Sequence, residues 1–180
     1  MAGCVLWFTG ISGSGKTTIT VALEEELKRR GLKVERLDGD VVRKGLTADL
    51  GFSKADRDKN IQRVTFVAKL LSRNDVVVLT AFISPYRETR DWVRGQVTNF
   101  VEVFVDCSLE ECVRRDTKNM YAKAMRGEME EFTVISSPYE VPLRPDMVLH
   151  TAPISGSSVS DCVLRVIGNV ERDGFIEQTG

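Results

Sequence analysis

The feature that most constrains this chain of 180 residues is a glycine-rich turn between an apolar run and an amphipathic stretch. The apolar run, residues 4–9, predicts a buried strand, and residues 16–30 repeat apolar side chains at helical spacing. The turn has the spacing of a phosphate-binding P-loop, in the order Gly10, Ile11, Ser12, Gly13, Ser14, Gly15, Lys16, Thr17 and Thr18. The alternative is a Gly/Ser-rich turn that contains a lysine by chance. The predicted strand before the turn and the predicted helix after it favour the P-loop over this alternative.

The residue types in this turn suit an oligophosphate. Glycines let successive backbone N–H groups turn toward the anion, and the positive end of the following helix adds to the attraction. Lys16 is expected to reach the outer phosphates, and the hydroxyl of Thr17 is a ligand for Mg²⁺. The motif therefore predicts binding of a nucleoside triphosphate, without defining what is done with it.

Apolar runs and amphipathic stretches alternate along the rest of the chain. Further strands are predicted at residues 34–37, 75–80, 100–106 and 147–150. Further helices are predicted at about 54–72, from after 87 to 97, 109–115 and 159–171. This alternation predicts an α/β, three-layer P-loop kinase fold, a parallel five-stranded sheet with helices on both faces, in a single domain over residues 1–180. Its ligands should bind beyond the carboxyl ends of the strands.

Composition excludes several classes of protein. The chain is 42% hydrophobic and 28% charged with a net charge of −1, which is typical of a soluble globular domain and gives no basic field for nucleic acid. No run is long enough to span a membrane, and no signal region leads the chain, so we expect a cytoplasmic protein without a membrane or nucleic-acid partner. Four cysteines without a CxxC pair predict free, mostly buried thiols, and His150 as the only histidine excludes a multi-histidine metal site.

Three classes of P-loop protein compete. A GTPase needs an Asn-Lys-x-Asp motif, which the chain lacks, and a DNA-handling ATPase usually ends its third strand with a carboxylate. Here that strand ends in Val78-Leu79-Thr80-Ala81. A small-molecule kinase remains, and such enzymes close a lid over the phosphates. The segment of about 117–137 lacks clean periodicity, carries several Lys and Arg residues, and is predicted to be that lid.

A kinase acting on a hydroxyl needs a group that orients or deprotonates it, and metal ligands. Asp38 and Asp40 follow the second strand, and in an extended segment residues two apart point the same way, so both carboxylates could enter the cleft. A solvent-facing Asp-Gly turn is the alternative.

The next segments suggest an anionic acceptor. Arg43 and Arg57 suit phosphate or sulfate, Asn60 lies one helical turn after Arg57, and Phe52 could stack on a base. The alternative, that both arginines are solvated surface residues and that Phe52 belongs to the core, has equal weight at this point.

Several runs in the chain resemble adenylyl-sulfate kinase (APS kinase) over residues 3 to 150. They are Asp38-Gly39-Asp40-x-x-Arg43-x-Gly45-Leu46, Asp49-Leu50-Gly51-Phe52-Ser53, Asp56-Arg57, Asn60-Ile61, Ala81-Phe82-Ile83-Ser84-Pro85-Tyr86-Arg87, Arg115-Asp116, Tyr121-x-Lys123-Ala124, Phe132-Thr133 and Pro138-Tyr139-Glu140-x-Pro142. The resemblance implies transfer of phosphate from ATP, with Mg²⁺, to the 3′-hydroxyl of adenosine 5′-phosphosulfate in sulfate activation. It also implies a homodimer and a functional link to ATP sulfurylase.

The same resemblance implies roles for individual residues. Asp40 would be the base or orienting group, with Lys16 and Ser84 as further catalytic candidates, and Asp38 would join Thr17 at the metal. Arg115 would contact ATP. Arg43, Arg57 and Asn60 would hold the phosphosulfate, Phe52 and Phe132 would sandwich the adenine, Ile83 and Ser84 would line that pocket, and Lys123 would close from the lid. Ser84 matches a position phosphorylated in the family, although direct in-line transfer needs no covalent step.

Three positions depart from the family pattern. Thr117 and Asn119 replace a proline and a glycine in the lid, and Val134 replaces a glycine and is expected to crowd the adenine edge. A kinase for nucleosides or shikimate-like acceptors and a non-catalytic nucleotide sensor remain as alternatives.

Overall fold

The computed structural model describes residues 3–116, 118–129, 131–152 and 157–177. Its centre is a five-stranded parallel sheet with the strand order β2-β3-β1-β4-β5. The strands are β1 (Val5–Thr9), β2 (Val34–Asp38), β3 (Val77–Ala81), β4 (Phe100–Asp106) and β5 (Met147–His150). Because β1 lies in the middle, the loop after it has the ends of β3 and β4 on its two sides.

One or two helices follow each strand. They are α1 (Lys16–Arg29), α2 (Gly39–Val42), α3 (Lys54–Ser72), α4 (Arg87–Gln96), α5 (Leu109–Arg115), α6 (Met120–Met125) and α7 (Val159–Arg172). Ser53 and Ser108 cap α3 and α5, each accepting a hydrogen bond from a backbone N–H in the first turn. None of the helices among the described residues is long and apolar enough to cross a membrane.

Two apolar cores form on the two faces of the sheet. On one face Leu6 and Phe8 of β1 pack with side chains of α1 and α7. On the other face Val5 and Trp7 pack with α3 and with Val93 of α4. The alternation of side chains along β1 supplies both cores, which is why all five of its residues are buried. The three-layer α/β prediction is confirmed.

Most element boundaries agree with the predictions, and two do not. The third strand begins at Val77 rather than Asp75, because Asp75 has a φ of 62° and belongs to the preceding turn. The lid segment also contains a helix, α6, that its sequence did not predict. Six residues are too few to show a helical period, and the helix is held instead by the carboxylate of Asp116, which accepts from the backbone N–H groups of Tyr121 and Ala122.

The segment after β2 also differs from the extended conformation expected for Asp38 and Asp40. The strand ends at Asp38, and α2 begins at the next residue. The Asp38 carboxylate accepts from the backbone N–H of Asp40 at 3.0 Å, so Asp38 is the N-cap and Asp40 lies in the first helical turn. The two side chains therefore differ in environment: that of Asp38 is 7% exposed and that of Asp40 is 64% exposed.

The lid ends in a turn with a strained residue. Val134 has a φ of 70°, which is unfavourable for any residue with a Cβ and more so for a β-branched one. Its backbone N–H donates to the carbonyl of Ser137, and its half-buried side chain packs against an apolar cluster that includes Ile11 and Phe132. These contacts hold the turn in spite of the backbone conformation.

We predict that the usual order of alanine and glycine stability is reversed at residue 134. The Val134→Gly protein should have a free energy of unfolding about 1 kcal/mol larger than the Val134→Ala protein, because only glycine adopts this φ without cost. At the exposed helical residue Gln62, the alanine variant should be the more stable by about 1 kcal/mol. Urea unfolding of the four variants measures both differences, and a more stable alanine variant at both positions would contradict the strain.

Candidate active site

A cleft of about 580 Å³ opens at the carboxyl ends of the strands. The P-loop, the start of α2, the loop after β3 and the lid segment all contribute to its walls. Of the predicted residues, those that line it are Ser12, Gly13, Gly15, Lys16, Thr17, Thr18, Asp38, Asp40, Arg43, Phe52, Arg57, Asn60, Ile83, Ser84, Arg115 and Phe132. Gly10, Ile11 and Ser14 lie behind this surface and shape the loop from within.

The P-loop is held by its own lysine. The Nζ atom of Lys16 donates to the carbonyl oxygens of Gly10 and Ile11, each at 2.8 Å, inside a buried turn. A Cβ on Gly10, where φ is 153°, would lie 2.6 Å from the carbonyl oxygen of Val105, so a side chain would force the loop away from β4. Burial lowers the pKa of Lys16 to about 8. A bound phosphate would favour the charged ammonium and reverse that effect.

The hydroxyl of Thr17 and the carboxylate of Asp38 meet at one point of the cleft. Thr17 Oγ1 donates to Asp38 Oδ2 at 2.8 Å. These are hard oxygen ligands of the kind that Mg²⁺ selects, and an ion held by only two protein oxygens leaves the remaining positions to phosphate and water. Among the described residues no cluster of three or more acidic, His or Cys side chains offers a fuller protein cage. The donor set therefore fits the magnesium of a nucleotide complex.

Asp40 faces the cleft and pairs with a lid residue that the sequence analysis left out of the site. Lys118 Nζ contacts Asp40 Oδ2, with both side chains about half exposed or more. The charges of Lys118 and Asp40 also act on Lys16, so the three groups lie close together. Lys118 was one of several lid cations in the sequence, and only its place in the folded chain distinguishes it from the others.

Arg43 and Arg57 form a second, strongly positive part of the cleft. Burial lowers the pKa of Arg43, and the neighbouring charge of Arg57 lowers it further. Arg57 is buried, and its guanidinium donates to the carbonyls of Phe52 and Glu131 and to the hydroxyl of Thr133. Two guanidinium groups this close favour an anion between them. The reading of both arginines as solvated surface residues is wrong for Arg57.

Asn60 and Phe52 also line the cleft. Asn60 is buried one turn beyond Arg57, and its amide oxygen accepts from Thr47 Oγ1 at 2.7 Å, which leaves the NH₂ group for a ligand. Phe52 is 50% exposed and therefore is no core residue. The guanidinium of Arg43 lies 4.3 Å from the centre of its ring. Phe132, on the lid side, is buried and meets Tyr121 edge-on at 5.1 Å.

Ile83 and Ser84 bring the loop after β3 to the cleft. Ser84 is buried with a φ of 45°, and its hydroxyl oxygen accepts from Trp7 Nε1 at 3.0 Å.

Arg115 Nε donates to Glu111 at 2.7 Å, and the same guanidinium contacts the carbonyls of Gly13 and Thr151. This position links the P-loop to the segment after β5.

Two predicted positions lie elsewhere. Lys123 is on the exposed side of α6 and does not line the cleft. Val134 lines a separate apolar cavity behind the P-loop, with Ile11 and Tyr139, and so does not crowd the cleft as expected. Thr117 lies outside the described residues, as does part of the predicted lid. Whether Lys123 and Val134 face the cleft depends on how the chain folds, and the spacing of residues in the sequence does not reveal it.

Two further residues complete the loop and were missed. Tyr121 of α6 donates its hydroxyl to the carbonyl of Ser12 at 2.8 Å, and Thr151 donates to the carbonyl of Ser14 at 2.7 Å. Each ties a distant segment to the P-loop backbone. The Tyr121-x-Lys123 run was noticed in the sequence, but the buried tyrosine rather than the lysine makes the contact.

The four cysteines, all within the described ranges, are free and buried as predicted. Burial raises the pKa of Cys112 to about 12, and its contact with Cys107 adds to that effect. Burial also raises the pKa of Cys4 to about 12, so these two thiols are inert as nucleophiles at neutral pH.

Comparison with known proteins identifies the family. Residues 2–150 match the model of the family described as adenylylsulphate kinase. The chain is 67% identical over 149 residues to a probable adenylyl-sulfate kinase of Pseudomonas aeruginosa, covering 83% of this chain and 70% of that protein. It is 50% identical over 174 residues to the adenylyl-sulfate kinase of Halothermothrix orenii, covering 97% and 92%.

A solved structure agrees with these relatives. The APS kinase of Mycobacterium tuberculosis, in complex with AMPPNP and APS, superposes with a TM-score of 0.90 at 42% identity over 94% of this chain and 98% of that one. On sequence and structure together, the chain belongs to the adenylylsulphate kinase family.

Proposed function

We propose that this chain is an adenylyl-sulfate kinase that transfers the γ-phosphoryl group of ATP to the 3′-hydroxyl of adenosine 5′-phosphosulfate. The products are ADP and 3′-phosphoadenosine 5′-phosphosulfate. The observation that carries the proposal is the two-sided cleft, in which the P-loop and the neighbouring guanidinium groups of Arg43 and Arg57 line one cavity, with Asp40 close to Lys16 of the loop. A triphosphate donor on one side and an anionic acceptor on the other account for both positive regions.

We propose a role for individual residues of this chain in each step of the reaction. The backbone N–H groups of the P-loop and Lys16 hold the donor phosphates, and Thr17 and Asp38 would hold a Mg²⁺ ion that would neutralise charge on those phosphates. Asp40 orients the acceptor hydroxyl and takes its proton as the new O–P bond forms. Lys118, released from Asp40, is close enough to Lys16 to neutralise charge on the transferred group. Arg43, Arg57 and Asn60 hold the phosphosulfate, and Phe52 and Phe132 contact the adenine.

Several wider properties belong to the same proposal. We propose Mg²⁺ as the cofactor, a single kinase domain over residues 1–180, a homodimer, and a functional link to ATP sulfurylase, which makes the acceptor. The four buried free thiols and the use of ATP support a cytoplasmic site of action.

The reaction is tested by coupled detection of ADP with ATP, Mg²⁺ and varied acceptors. We expect turnover with adenosine 5′-phosphosulfate and little with adenosine, AMP or shikimate, because these lack the phosphosulfate that Arg43 and Arg57 bind. Turnover with another acceptor alone would overturn the proposal, and ATP binding without turnover would instead favour the nucleotide-sensor reading.

Asp40→Ala is expected to lower kcat by about 100-fold or more, which is the usual contribution of a general base. The dissociation constant for ATP should change by less than about threefold, since the triphosphate is held by the P-loop. Steady-state kinetics and calorimetric titration measure the two quantities. Glu35→Ala removes an exposed carboxylate on β2 and serves as the matched control. A near-normal kcat in the Asp40 variant would show that the base is assigned wrongly.

Arg57→Ala is expected to raise the KM for adenosine 5′-phosphosulfate by about 10- to 100-fold, the value of charged hydrogen bonds worth about 1.5–3 kcal/mol. The KM for ATP should change little. Because Arg57 also contacts Glu131 and Thr133, thermal unfolding should be measured alongside to confirm that the variant is folded. Arg73→Ala, at the exposed end of α3, is the control. An unchanged KM for the acceptor would remove Arg57 from the anion site.

A further inference from the structure

The side chain of Trp7 reaches from the centre of the sheet to the acceptor side of the cleft. Trp7 lies in β1, is fully buried, and packs its ring near Phe82 and Phe100. Its Nε1–H donates to the hydroxyl oxygen of Ser84 at 3.0 Å. An indole N–H can only donate, so at this contact the serine oxygen must be the acceptor.

The backbone around Ser84 is held by other groups. Arg90, which is paired with Glu102 at 2.9 Å in the interior, donates to the carbonyl of Ser84 at 2.5 Å. The hydroxyl of Thr9 donates to the carbonyl of Ile83 at 2.7 Å. Because these contacts hold the main chain, the hydrogen bond from Trp7 is needed only to set the direction of the Ser84 hydroxyl.

The proton of that hydroxyl is left for a ligand. Within the described ranges, Ser84 Oγ accepts from Trp7 and has no protein acceptor for its own proton, while the residue lines the cleft beside Ile83 and Phe82. A hydroxyl whose oxygen accepts from a buried N–H directs its O–H elsewhere, and the cleft is where the residue is open. Because a buried donor without a partner is costly, a ligand in the cleft gains by presenting an acceptor atom there.

We propose that Trp7 is a positioning residue for the acceptor nucleotide: it fixes the Ser84 hydroxyl as a hydrogen-bond donor to an acceptor atom of the adenosine part. This inference rests on the proposed function. It assigns Ser84 to substrate recognition through its O–H and gives a role to a core residue of β1. The strand that leads into the ATP-binding loop thereby also orients a group on the acceptor side.

A double-mutant cycle tests the proposal. Trp7→Phe and Ser84→Ala should each raise the KM for adenosine 5′-phosphosulfate by about fivefold, the value of one hydrogen bond of about 1 kcal/mol. In both variants the KM for the acceptor should change more than kcat, and the KM for ATP should stay within twofold of the parent. The double variant should also be about fivefold weaker, because Trp7 acts only through Ser84. Independent effects would multiply to about 25-fold, and that result would overturn the proposal.

Phe100→Leu separates orientation from loss of packing. Phe100 touches the same ring of Trp7 but makes no contact with the Ser84 hydroxyl. Its substitution should lower the melting temperature as Trp7→Phe does and leave the acceptor KM unchanged. A matching rise in acceptor KM in Phe100→Leu would mean that core packing, and not the N–H group, is responsible.

If Trp7→Phe does not fold, 3-benzothienylalanine at residue 7 replaces the N–H by sulfur at nearly the same volume. The same fivefold rise in acceptor KM is expected, and an unchanged KM in this variant would refute the role of the N–H. The parent enzyme is assayed first with adenosine 5′-phosphosulfate. A parent without turnover would count against the proposed function, whereas an active parent with an insensitive residue 7 counts against this inference alone.

Discussion

Strand β1 is hydrogen-bonded to β3 on one side and to β4 on the other, and the active-site cleft depends on that central position. Parallel pairing brings the carboxyl ends of neighbouring strands to the same edge, so the loops after β1, β2 and β3 meet there. The close approach of Gly10 to the carbonyl of Val105 fixes the P-loop against β4. Through Thr9 and Trp7 the same strand holds the loop after β3.

Charge determines what this edge of the sheet can bind. Lys16, Lys118 and Arg115 surround the P-loop. Arg43, at the end of α2, and Arg57, in α3, form a separate pair. Asp38 and Asp40 are the acidic groups beside the P-loop, and the fold gives them different surroundings: Asp38 is buried against Thr17, and Asp40 is open toward the lid. Two carboxylates separated by one residue can therefore serve a metal and a proton transfer respectively.

Local sequence patterns do not predict the structure of the lid segment. Its helix α6 is too short to show a helical period. The helix is held locally by the Asp116 carboxylate and through a tertiary contact by the buried Tyr121, whose hydroxyl donates to the carbonyl of Ser12. Val134 keeps a left-handed backbone that its own preference opposes, because its side chain packs into the apolar cluster behind the P-loop. Lys118 and Lys123 are both lysines of the lid segment, and the local sequence does not distinguish them. Only the path of the folded chain brings Lys118 to Asp40.

The P-loop, the alternation of strands and helices, and the buried thiols were predictable from the sequence, because each depends on residues near one another in the chain. Its long family-specific runs also indicated the acceptor. Only the folded chain shows that Arg57 is buried against the lid and that Trp7 reaches Ser84 across 77 residues of sequence. Such contacts join segments distant in sequence, and the packing that brings them together has no local signature.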